Sequence, residues 1–264
     1  MKPAAFDYKR PDSLKDAIAM LSDAGPAGRV IAGGQSLGPM LNLRLARPEI
    51  LVDITAIAEL RDVADGDGDG VMLGACVTHG AIEDGLHRDP THGVLVRVAG
   101  GIAYRAVRNR GTIGGSLAHG DPAADWVSVL AALGAQAVIA GPSGERRIPA
   151  AAFVTGAFET VLESGEILCA IHVPALSTAA RWGYYKFCRK AGDFADAMAA
   201  VLFDPQTGVA RTVIGATHAQ PVVIDGEFDA KRVIAAIDAL GFDAHDRQTH
   251  LVAAKRAAMI AGLA

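Results

Sequence analysis

Residues 107–125 read VRNRGTIGGSLAHGDPAAD, and residues 30–44 read VIAGGQSLGPMLNLR. Both segments carry a pair of glycines with a serine close behind it. Because glycine has no side chain, several backbone N–H groups can converge on one anion at such a loop. A neighbouring helix N-terminus adds its partial positive charge. The two segments together predict a pair of loops that clamp one pyrophosphate group.

The first glycine segment comes close to the dinucleotide-binding fingerprint of Rossmann folds, G-x-G-x-x-G, over residues 33–38. Asp53 also lies roughly where that motif needs its ribose-binding acid. Gln35, however, stands where the second glycine must let the backbone approach a pyrophosphate. No Gly-Lys-Ser/Thr follows, so a P-loop is not indicated either. A nicotinamide-dependent dehydrogenase with a degenerate Rossmann loop is the alternative from another enzyme class.

The N-terminal part of the chain has the pattern of a β-α-β unit. Ser13 and Asp16 are spaced as a helix-capping pair, and apolar residues then recur at helical spacing until Gly25 supplies a stop. Short buried strands are predicted at residues 29–32 and 50–54. The first glycine segment therefore follows the first of these strands.

The run of alternating aspartates and glycines at residues 65–70 predicts the turn of a hairpin with arms at residues 59–64 and 71–77. The same run matches the start of a calcium loop. Cys76 occupies the twelfth position, where a calcium loop needs a bidentate glutamate. A solvated turn is therefore expected, with no metal site.

Helices and strands are predicted along the rest of the chain. Residues 78–107 are expected to be mostly helical, and a helix over residues 123–133 follows the second glycine segment. The small, polar run at residues 175–180 is interpreted as a linker between two domains. Strands are predicted at residues 135–140, 166–173, 184–189, 198–203 and 209–216, and two helices follow them.

Composition restricts the class of protein. The chain has 264 residues, of which 51% are hydrophobic, enough for two or three compact domains. Its formal net charge is −4 and it has no long basic tract, so nucleic acid is not expected as a partner. The first residues lack a signal-peptide pattern, and no apolar run is long enough for a membrane span. A cytoplasmic protein is therefore expected.

The cysteines of the sequence, Cys76, Cys169 and Cys188, lie far apart and form no C-x-x-C pair. Zinc or iron–sulfur ligation by this chain alone is therefore poorly supported. Any cluster that exchanges electrons with the chain must lie on another protein. His79 and His119 have no carboxylate partner visible in the sequence, so no catalytic side chain is predicted.

Three long segments, in order along the chain, resemble the flavoprotein subunits of the molybdenum hydroxylase family. The first is the first glycine segment with its continuation through residues 52–54. The second is the other glycine segment, which departs from the family pattern mainly at Gly120. The third is residues 186–195, KFCRKAGDFA. The family includes the medium subunit of aerobic carbon monoxide dehydrogenase and the FAD domain of xanthine dehydrogenase, and the resemblance spans nearly the whole chain.

The resemblance implies an α+β fold class. The expected architecture is a two-subdomain FAD-binding fold of the vanillyl-alcohol oxidase type, followed by a C-terminal α+β domain made of a small antiparallel sheet with helices. The FAD-binding domain is expected over residues 1–175, with subdomains at residues 1–57 and 58–175. The C-terminal domain, of the molybdenum hydroxylase flavoprotein type, is expected over residues 180–264.

The resemblance also implies which residues bind FAD. Asp125 matches an acid that contacts the ribityl region, and Lys186 matches a lysine near the flavin. Ile102 and Leu168 match apolar positions near the isoalloxazine or the adenine. Without the resemblance, Asp125 would be an acid in the first turn of a helix and Lys186 a solvated lysine. Ile102 and Leu168 would be ordinary core residues. The loops implied to wrap the diphosphate consist of Val30, Ile31, Ala32, Gly33, Gly34, Gln35, Ser36 and Leu37, and of Thr112, Ile113, Gly114, Gly115 and Ser116.

In the family, substrate is hydroxylated at a molybdenum centre, and electrons pass through iron–sulfur clusters to the flavin. The resemblance therefore implies FAD on this chain, a molybdenum cofactor on a large partner subunit and two two-iron two-sulfur clusters on a small partner subunit. A dimer of heterotrimers is expected. The substrate and the electron acceptor, which could be NAD, a quinone, a cytochrome or oxygen, stay open. A non-catalytic assembly subunit that keeps the fold without the flavin is the second alternative.

A basic cluster, Arg105, Arg108 and Arg110, precedes the second glycine segment. Its side chains have two interpretations: they face FAD phosphates or a partner subunit, or they form a solvated helix face. The sequence does not decide between these interpretations. His119 is expected to pack or to hydrogen-bond beside the loop.

Overall fold

The structure, a computed structural model, describes residues 2–264. Its N-terminal part is a parallel sheet with the strand order β1-β3-β2, so the predicted β-α-β unit is present. Strand β1 was not predicted, because its three residues are all exposed and carry no apolar pattern. The elements of this part are β1 (Asp7–Lys9), α1 (Leu14–Ala24), β2 (Gly28–Ile31), α2 (Leu37–Asn42) and β3 (Ile50–Asp53).

Helix α1 begins and ends where the sequence indicates. The Ser13 hydroxyl accepts a hydrogen bond from the Asp16 N–H at 3.1 Å, and it donates one to the Asp16 carboxylate at 2.7 Å. Gly25 ends the helix with φ 52°, a conformation that suits glycine. Ala17 and Leu21 are buried against the parallel sheet. The helix thereby covers one face of the sheet that leads into the first glycine loop.

The central part is an antiparallel sheet with the strand order β4-β5-β10-β6-β7. The predicted hairpin at residues 65–70 is present, but both arms are shorter than predicted: residues 58–60 form a 3-10 turn before the first arm, and the second arm ends at Gly74. Strand β7 was not predicted, since it is an edge strand with a charged sequence. The strands are β4 (Val63–Asp65), β5 (Val71–Gly74), β6 (Gln136–Gly141), β7 (Gly144–Pro149) and β10 (Ile167–Val173), with β8 (Val154–Gly156) and β9 (Glu159–Thr160) forming a separate hairpin.

A series of short helices connects β5 to β6, but helices cover only half of residues 78–107, fewer than predicted, since residues 84–93 and 101–104 form turns and loops. The last of them, α7, is buried along its whole length, and Trp126 on it is fully enclosed. Ala131 and Ala132 at its C-terminal end pack against the C-terminal sheet. Helix α7 therefore lies between two sheets. The helices are α3 (His79–Glu83), α4 (Val94–Gly100), α5 (Arg105–Arg108), α6 (Ile113–His119) and α7 (Asp125–Leu133).

The C-terminal part is an antiparallel sheet, ordered β11-β12-β13-β14, with two helices packed on it. Helix α9 crosses β11 so closely at Gly183 that a Cβ there would lie 1.8 Å from the Ala257 carbonyl oxygen. Strand β14 was not predicted. The elements are β11 (Arg181–Phe187), β12 (Ala197–Asp204), β13 (Val209–Gly215), β14 (Val222–Asp225), α8 (Ala230–Asp238) and α9 (Ala244–Ile260).

The α+β fold class follows from this mixture of three larger sheets, the two-stranded β8–β9 hairpin and the helices around them. The domain boundaries, 1–175 and 180–264 with a division near residue 57, stay a prediction. Within residues 2–264, no helix combines the length and the apolar character that crossing a bilayer would require.

Candidate functional site

The first glycine loop runs from the end of β2 to the start of α2. Within residues 2–264, no group accepts a hydrogen bond from the N–H of residues 33–37. Gly34 has φ 70°, and Ser36, which precedes α2, makes no capping hydrogen bond with its side chain. A run of N–H groups around a left-handed residue forms a concave anion-binding nest. The loop is therefore arranged to receive an anion.

The two glycine loops touch each other. A Cβ added to Gly33 would lie 2.0 Å from the Arg110 carbonyl oxygen and 2.9 Å from the Gly111 Cα. A Cβ added to Gly115 would lie 4.0 Å from the Ala32 Cβ. Segments that are far apart in sequence thus meet at one place, as the prediction of a paired clamp requires. Gly33 is needed at this contact because any side chain would push the loops apart.

The second glycine loop is held by hydrogen bonds within the protein. Thr112 caps α6 by accepting from the Gly115 N–H at 3.0 Å. The N–H groups of Ile113 and Gly114 donate to the carbonyls of Val77 and Ala75, each at 3.0 Å. Four of the five N–H groups of residues 112–116 are therefore bound within the protein, whereas the Thr112 N–H finds no acceptor within residues 2–264. Pyrophosphate binding by the two loops stays a prediction. The second loop instead offers an exposed glycine and the half-buried side chain of Ser116.

Asp125 and Lys186 form a nearly buried ion pair. The Lys186 Nζ lies 3.0 Å from Asp125 Oδ1 and 3.1 Å from Oδ2, and the two side chains are only 10% and 7% exposed. Lys186 also donates to the Gly101 carbonyl at 3.1 Å. Neither residue is therefore the solvated side chain that its type alone would suggest. The pair joins the start of α7 to strand β11 and to the turn after α4.

Tyr184 is part of the same cluster and was not among the predicted site residues. Its hydroxyl donates to Asp125 Oδ1 at 2.7 Å. The signal that could have identified it is its position two residues before Lys186, because residues two apart on a strand share one face. Burial, and then the neighbouring Asp125 carboxylate, raises the pKa of Tyr184 well above its ordinary value.

Ile102 and Leu168, the apolar residues predicted to lie near the cofactor, have different surroundings. Ile102 is half-buried next to Gly101, whose carbonyl binds Lys186, so it lies beside the ion pair. Leu168 is 5% exposed and belongs to the same buried cluster as Ile113, the first residue of α6. Leu168 thus lies behind the second glycine loop, and its contact with a cofactor stays a prediction.

His79 lies buried between the second glycine loop and α7. Its backbone N–H donates to the Gly111 carbonyl at 2.9 Å, and its Nδ1 accepts from the indole N–H of Trp126 at 3.1 Å. Since an indole N–H is only a donor, this bond requires a neutral imidazole with its proton on Nε2. Burial, with the nearby Arg108 cation as the second cause, lowers the pKa of His79 to about 4. His79 therefore supports the loop from behind.

Protonation of His79 is expected to destabilise the fold in acid. Because the pKa is depressed in the folded chain, its contribution to the free energy of unfolding is complete above about pH 6.5 and is lost as the pH falls to about 4. The loss amounts to about 3 kcal/mol. Chemical denaturation from pH 7 to pH 4 should show a steeper fall for the natural chain than for His79→Gln. The His119→Gln control should keep the steep fall, and parallel curves for the natural chain and His79→Gln would contradict this assignment.

Two members of the basic cluster are bound within the protein. Arg108 holds Glu83 through its Nε at 2.7 Å and also donates to the Ile102 carbonyl at 2.9 Å. Arg105 donates to Glu83 at 2.9 Å and also pairs with Asp84. These arginines therefore brace the turn before α5 and do not face the first loop. Arg110 is exposed next to that loop, where its carbonyl contacts Gly33.

Two further residues from the sequence analysis have structural partners. The Asp53 carboxylate accepts from the Thr55 N–H at 2.8 Å and from the Tyr8 hydroxyl. Asp53 thus closes the turn after β3, although Ile31, which precedes the first loop, pairs with it in the sheet. His119 ends α6 with its ring centroid 5.2 Å from that of Phe158.

A groove of about 630 Å³ lies away from the glycine loops, between α1 and the turn of the β6–β7 hairpin. None of the predicted FAD-binding residues lines this groove. Within residues 2–264, His, Cys, Asp and Glu side chains form no group of three or more that could hold a metal ion. The groove is lined by Leu14, Lys15, Ile18, Asp23, Glu59 and Pro142 among others.

A nest of N–H groups between two touching glycine loops is typical of α+β proteins that bind the phosphates of a nucleotide cofactor. Comparison with known proteins identifies the family. Residues 4–176 match the family described as the FAD binding domain in molybdopterin dehydrogenase. The chain belongs to this family, and it is an FAD-binding oxidoreductase subunit of the molybdenum hydroxylase class.

Individual relatives agree with this assignment. The chain is 37% identical to the carbon monoxide dehydrogenase medium chain of Hydrogenophaga pseudoflava over 235 residues, which is 89% of this chain and 82% of that relative. It is 38% identical to the caffeine dehydrogenase subunit beta of Pseudomonas sp. strain CBB1 over 203 residues, 76% of this chain and 68% of that one. A solved structure of carbon monoxide dehydrogenase from Hydrogenophaga pseudoflava also matches the chain; that enzyme lacks the Mo-pyranopterin moiety of the molybdenum cofactor. The TM-score is 0.89 at 34% identity, and the match covers 99% of both chains. The family and the fold class predicted from the sequence are confirmed.

Proposed function

We propose that this chain holds FAD with the diphosphate over the first glycine loop and relays electrons from partner subunits to an external acceptor. The observation that carries the proposal is the run of N–H groups at residues 33–37, which find no acceptor in the described part of the chain. Each hydrogen bond to an ionised oxygen contributes roughly 1.5–3 kcal/mol. A few such bonds hold a diphosphate without a lysine.

The second glycine loop has a different role in this proposal. Because most of its N–H groups are used inside the protein, it acts as a rigid wall that limits where the diphosphate lies. The exposed Gly115 lets the cofactor approach the backbone closely. Ser36 and Ser116 are half-buried at the loops, and their hydroxyls are suited to donate to phosphate oxygens.

Asp125 and Lys186 are proposed to lie toward the ribityl chain and the flavin ring. A carboxylate can only accept hydrogen bonds, so Asp125 suits the hydroxyl groups of a ribityl chain. Lys186, paired with Asp125 at 3.0 Å, brings an ammonium donor toward the flavin without leaving an unpaired ion in a buried place. Ile102 and Leu168 are proposed as apolar neighbours of the cofactor.

The electron source is proposed to lie on partner subunits. The flavin accepts electrons singly and can release two together, which suits a junction between one-electron and two-electron carriers. Burial raises the pKa of the Cys76 and Cys169 thiols to about 12, which disfavours the thiolate form that binds iron. We infer two two-iron two-sulfur clusters on a small subunit, a molybdenum cofactor on a large subunit, and a dimer of heterotrimers.

Substrate choice is proposed to belong to the large subunit. Two of the relatives are named after carbon monoxide and caffeine, molecules of very different size and polarity. Similarity to these medium and beta subunits is therefore compatible with very different substrates of the complex. In this proposal the chain's own residues bind and orient FAD, and they take no part in substrate recognition.

Purification of the complex tests the proposed function. The preparation is expected to be yellow, with an absorbance maximum at about 450 nm and about one FAD per copy of this chain after denaturation. A colourless complex that also fails to take up added FAD would contradict the proposal. A flavin-free complex with undiminished electron transfer to the acceptor would favour the non-catalytic assembly subunit instead. The mass of the purified complex tests the dimer of heterotrimers.

A further inference from the structure

The Asp125 carboxylate is held from two directions. Lys186 approaches both of its oxygens, and the Tyr184 hydroxyl donates to Oδ1 at 2.7 Å. The Tyr184 hydroxyl also lies 3.6 Å from the Met198 sulfur, inside the C-terminal sheet. A carboxylate with one partner can rotate around that contact, whereas two donors from different directions fix its plane.

The tyrosine hydroxyl can act only as the donor in this contact. Burial, and next the neighbouring Asp125 carboxylate, raises the pKa of Tyr184, so the phenol stays protonated across the physiological range. The ionised carboxylate has no proton to donate. The direction of the hydrogen bond is therefore fixed, and the phenol stabilises the charge of Asp125.

Both donors to Asp125 come from β11, which lies beyond residue 176, where the match to the FAD-binding family ends. Lys186 also reaches back to the Gly101 carbonyl at 3.1 Å. Strand β11 of the C-terminal sheet thus closes a gap between the start of α7 and the turn after α4. The C-terminal sheet contributes side chains to the proposed flavin site.

We infer that Tyr184 is a positioning residue of the flavin site, which orients the Asp125 carboxylate toward the ribityl chain of FAD. This inference rests on the proposed function. It assigns to the hydroxyl of Tyr184 an effect on FAD affinity that acts through Asp125 and needs no contact between tyrosine and cofactor.

The neighbouring tyrosine supplies a matched control. Tyr185 points to the opposite face of β11, where it packs with α9 and its hydroxyl is bound by Arg256. Tyr184→Phe is expected to weaken FAD binding by about tenfold, because the Asp125 carboxylate loses the donor that fixes its orientation toward the ribityl chain. Tyr185→Phe is expected to change the affinity by less than about twofold. FAD titration of the flavin-stripped complex, followed by fluorescence, measures both.

A double-mutant cycle with Asp125→Asn distinguishes positioning from a general structural effect. If Tyr184 acts through Asp125, adding Tyr184→Phe to Asp125→Asn should weaken FAD binding much less than it does alone. Fully additive losses would overturn the inference. An unchanged FAD affinity with only a lower unfolding temperature would also overturn it, while leaving the proposed function intact. Failure of the natural complex to bind FAD would overturn both.

Discussion

Replacing Gly33 with alanine is expected to raise the dissociation constant for FAD by at least about 100-fold, equivalent to about 2.7 kcal/mol. The new Cβ would lie 2.0 Å from the Arg110 carbonyl oxygen, a distance that no real contact allows. Backbone must move to relieve it, which separates the two glycine loops and disturbs the N–H groups of residues 33–37. Overpacking of this kind also lowers the free energy of unfolding by about 1–3 kcal/mol. FAD titration and denaturant unfolding measure the two effects.

Gly38, four residues after Gly34, supplies the control for this substitution. A Cβ at Gly38 would meet nothing within 4 Å, and the residue lies inside α2, where alanine is favoured by roughly 0.5–1 kcal/mol. Gly38→Ala should therefore bind FAD normally and unfold no more easily than the natural chain. If Gly33→Ala and Gly38→Ala had the same FAD affinity, the first loop would not be the diphosphate site.

Replacing Lys186 with methionine is expected to lower the free energy of unfolding by about 3–5 kcal/mol, because it leaves the buried Asp125 carboxylate without its counter-ion. The two side chains are only 10% and 7% exposed, so solvent cannot substitute for the lost ammonium. The variant should also bind FAD more weakly, since the carboxylate is no longer held in place. Urea unfolding of the natural chain and the variant measures the stability difference.

A second substitution can remove the charge that Lys186→Met leaves unpaired. Adding Asp125→Asn to Lys186→Met removes the unpaired charge, so the double variant should recover part of the lost stability. Lys190, an exposed lysine that follows β11, should tolerate methionine with a change of less than about 0.5 kcal/mol. A Lys186→Met chain as stable as the Lys190→Met chain would rule out a buried ion pair that matters to folding.

The features of the site that could be predicted from sequence are those with local signals. A glycine pair followed by serine marks a loop wherever it occurs, and the helix signals around residues 13–25 depend only on neighbours in sequence. Resemblance added Asp125 and Lys186, which the structure brings together. Tyr184 carried only its spacing of two residues from Lys186 as a signal, because its partner Asp125 lies 59 residues away and the contact forms only when β11 packs against α7.

The different hydrogen bonding of the two glycine loops also could not be predicted from the sequence. The two glycine pairs look alike in sequence, yet their N–H groups have different environments in the folded chain. Residues 75–77 provide acceptors to the second loop, whereas none of the residues that the structure describes provides them to the first. Whether a backbone donor is occupied depends on tertiary neighbours, and a local pattern of residue types does not contain that information. The edge strands β1 and β7 were missed for another reason, since their side chains are mostly exposed and therefore carry no apolar pattern.

The position of α7 has a consequence for how such a protein can change in evolution. Its first residue, Asp125, belongs to the proposed flavin site, while Ala131 and Ala132 pack into the C-terminal sheet. Helix α7 is thus shared between the proposed flavin site and the core beneath the C-terminal sheet. A lineage that exchanged its C-terminal sheet for another would lose Tyr184 and Lys186 with it. Asp125 would then remain at the start of α7 as a buried acid without these partners. The two parts of the chain are therefore bound to be inherited together.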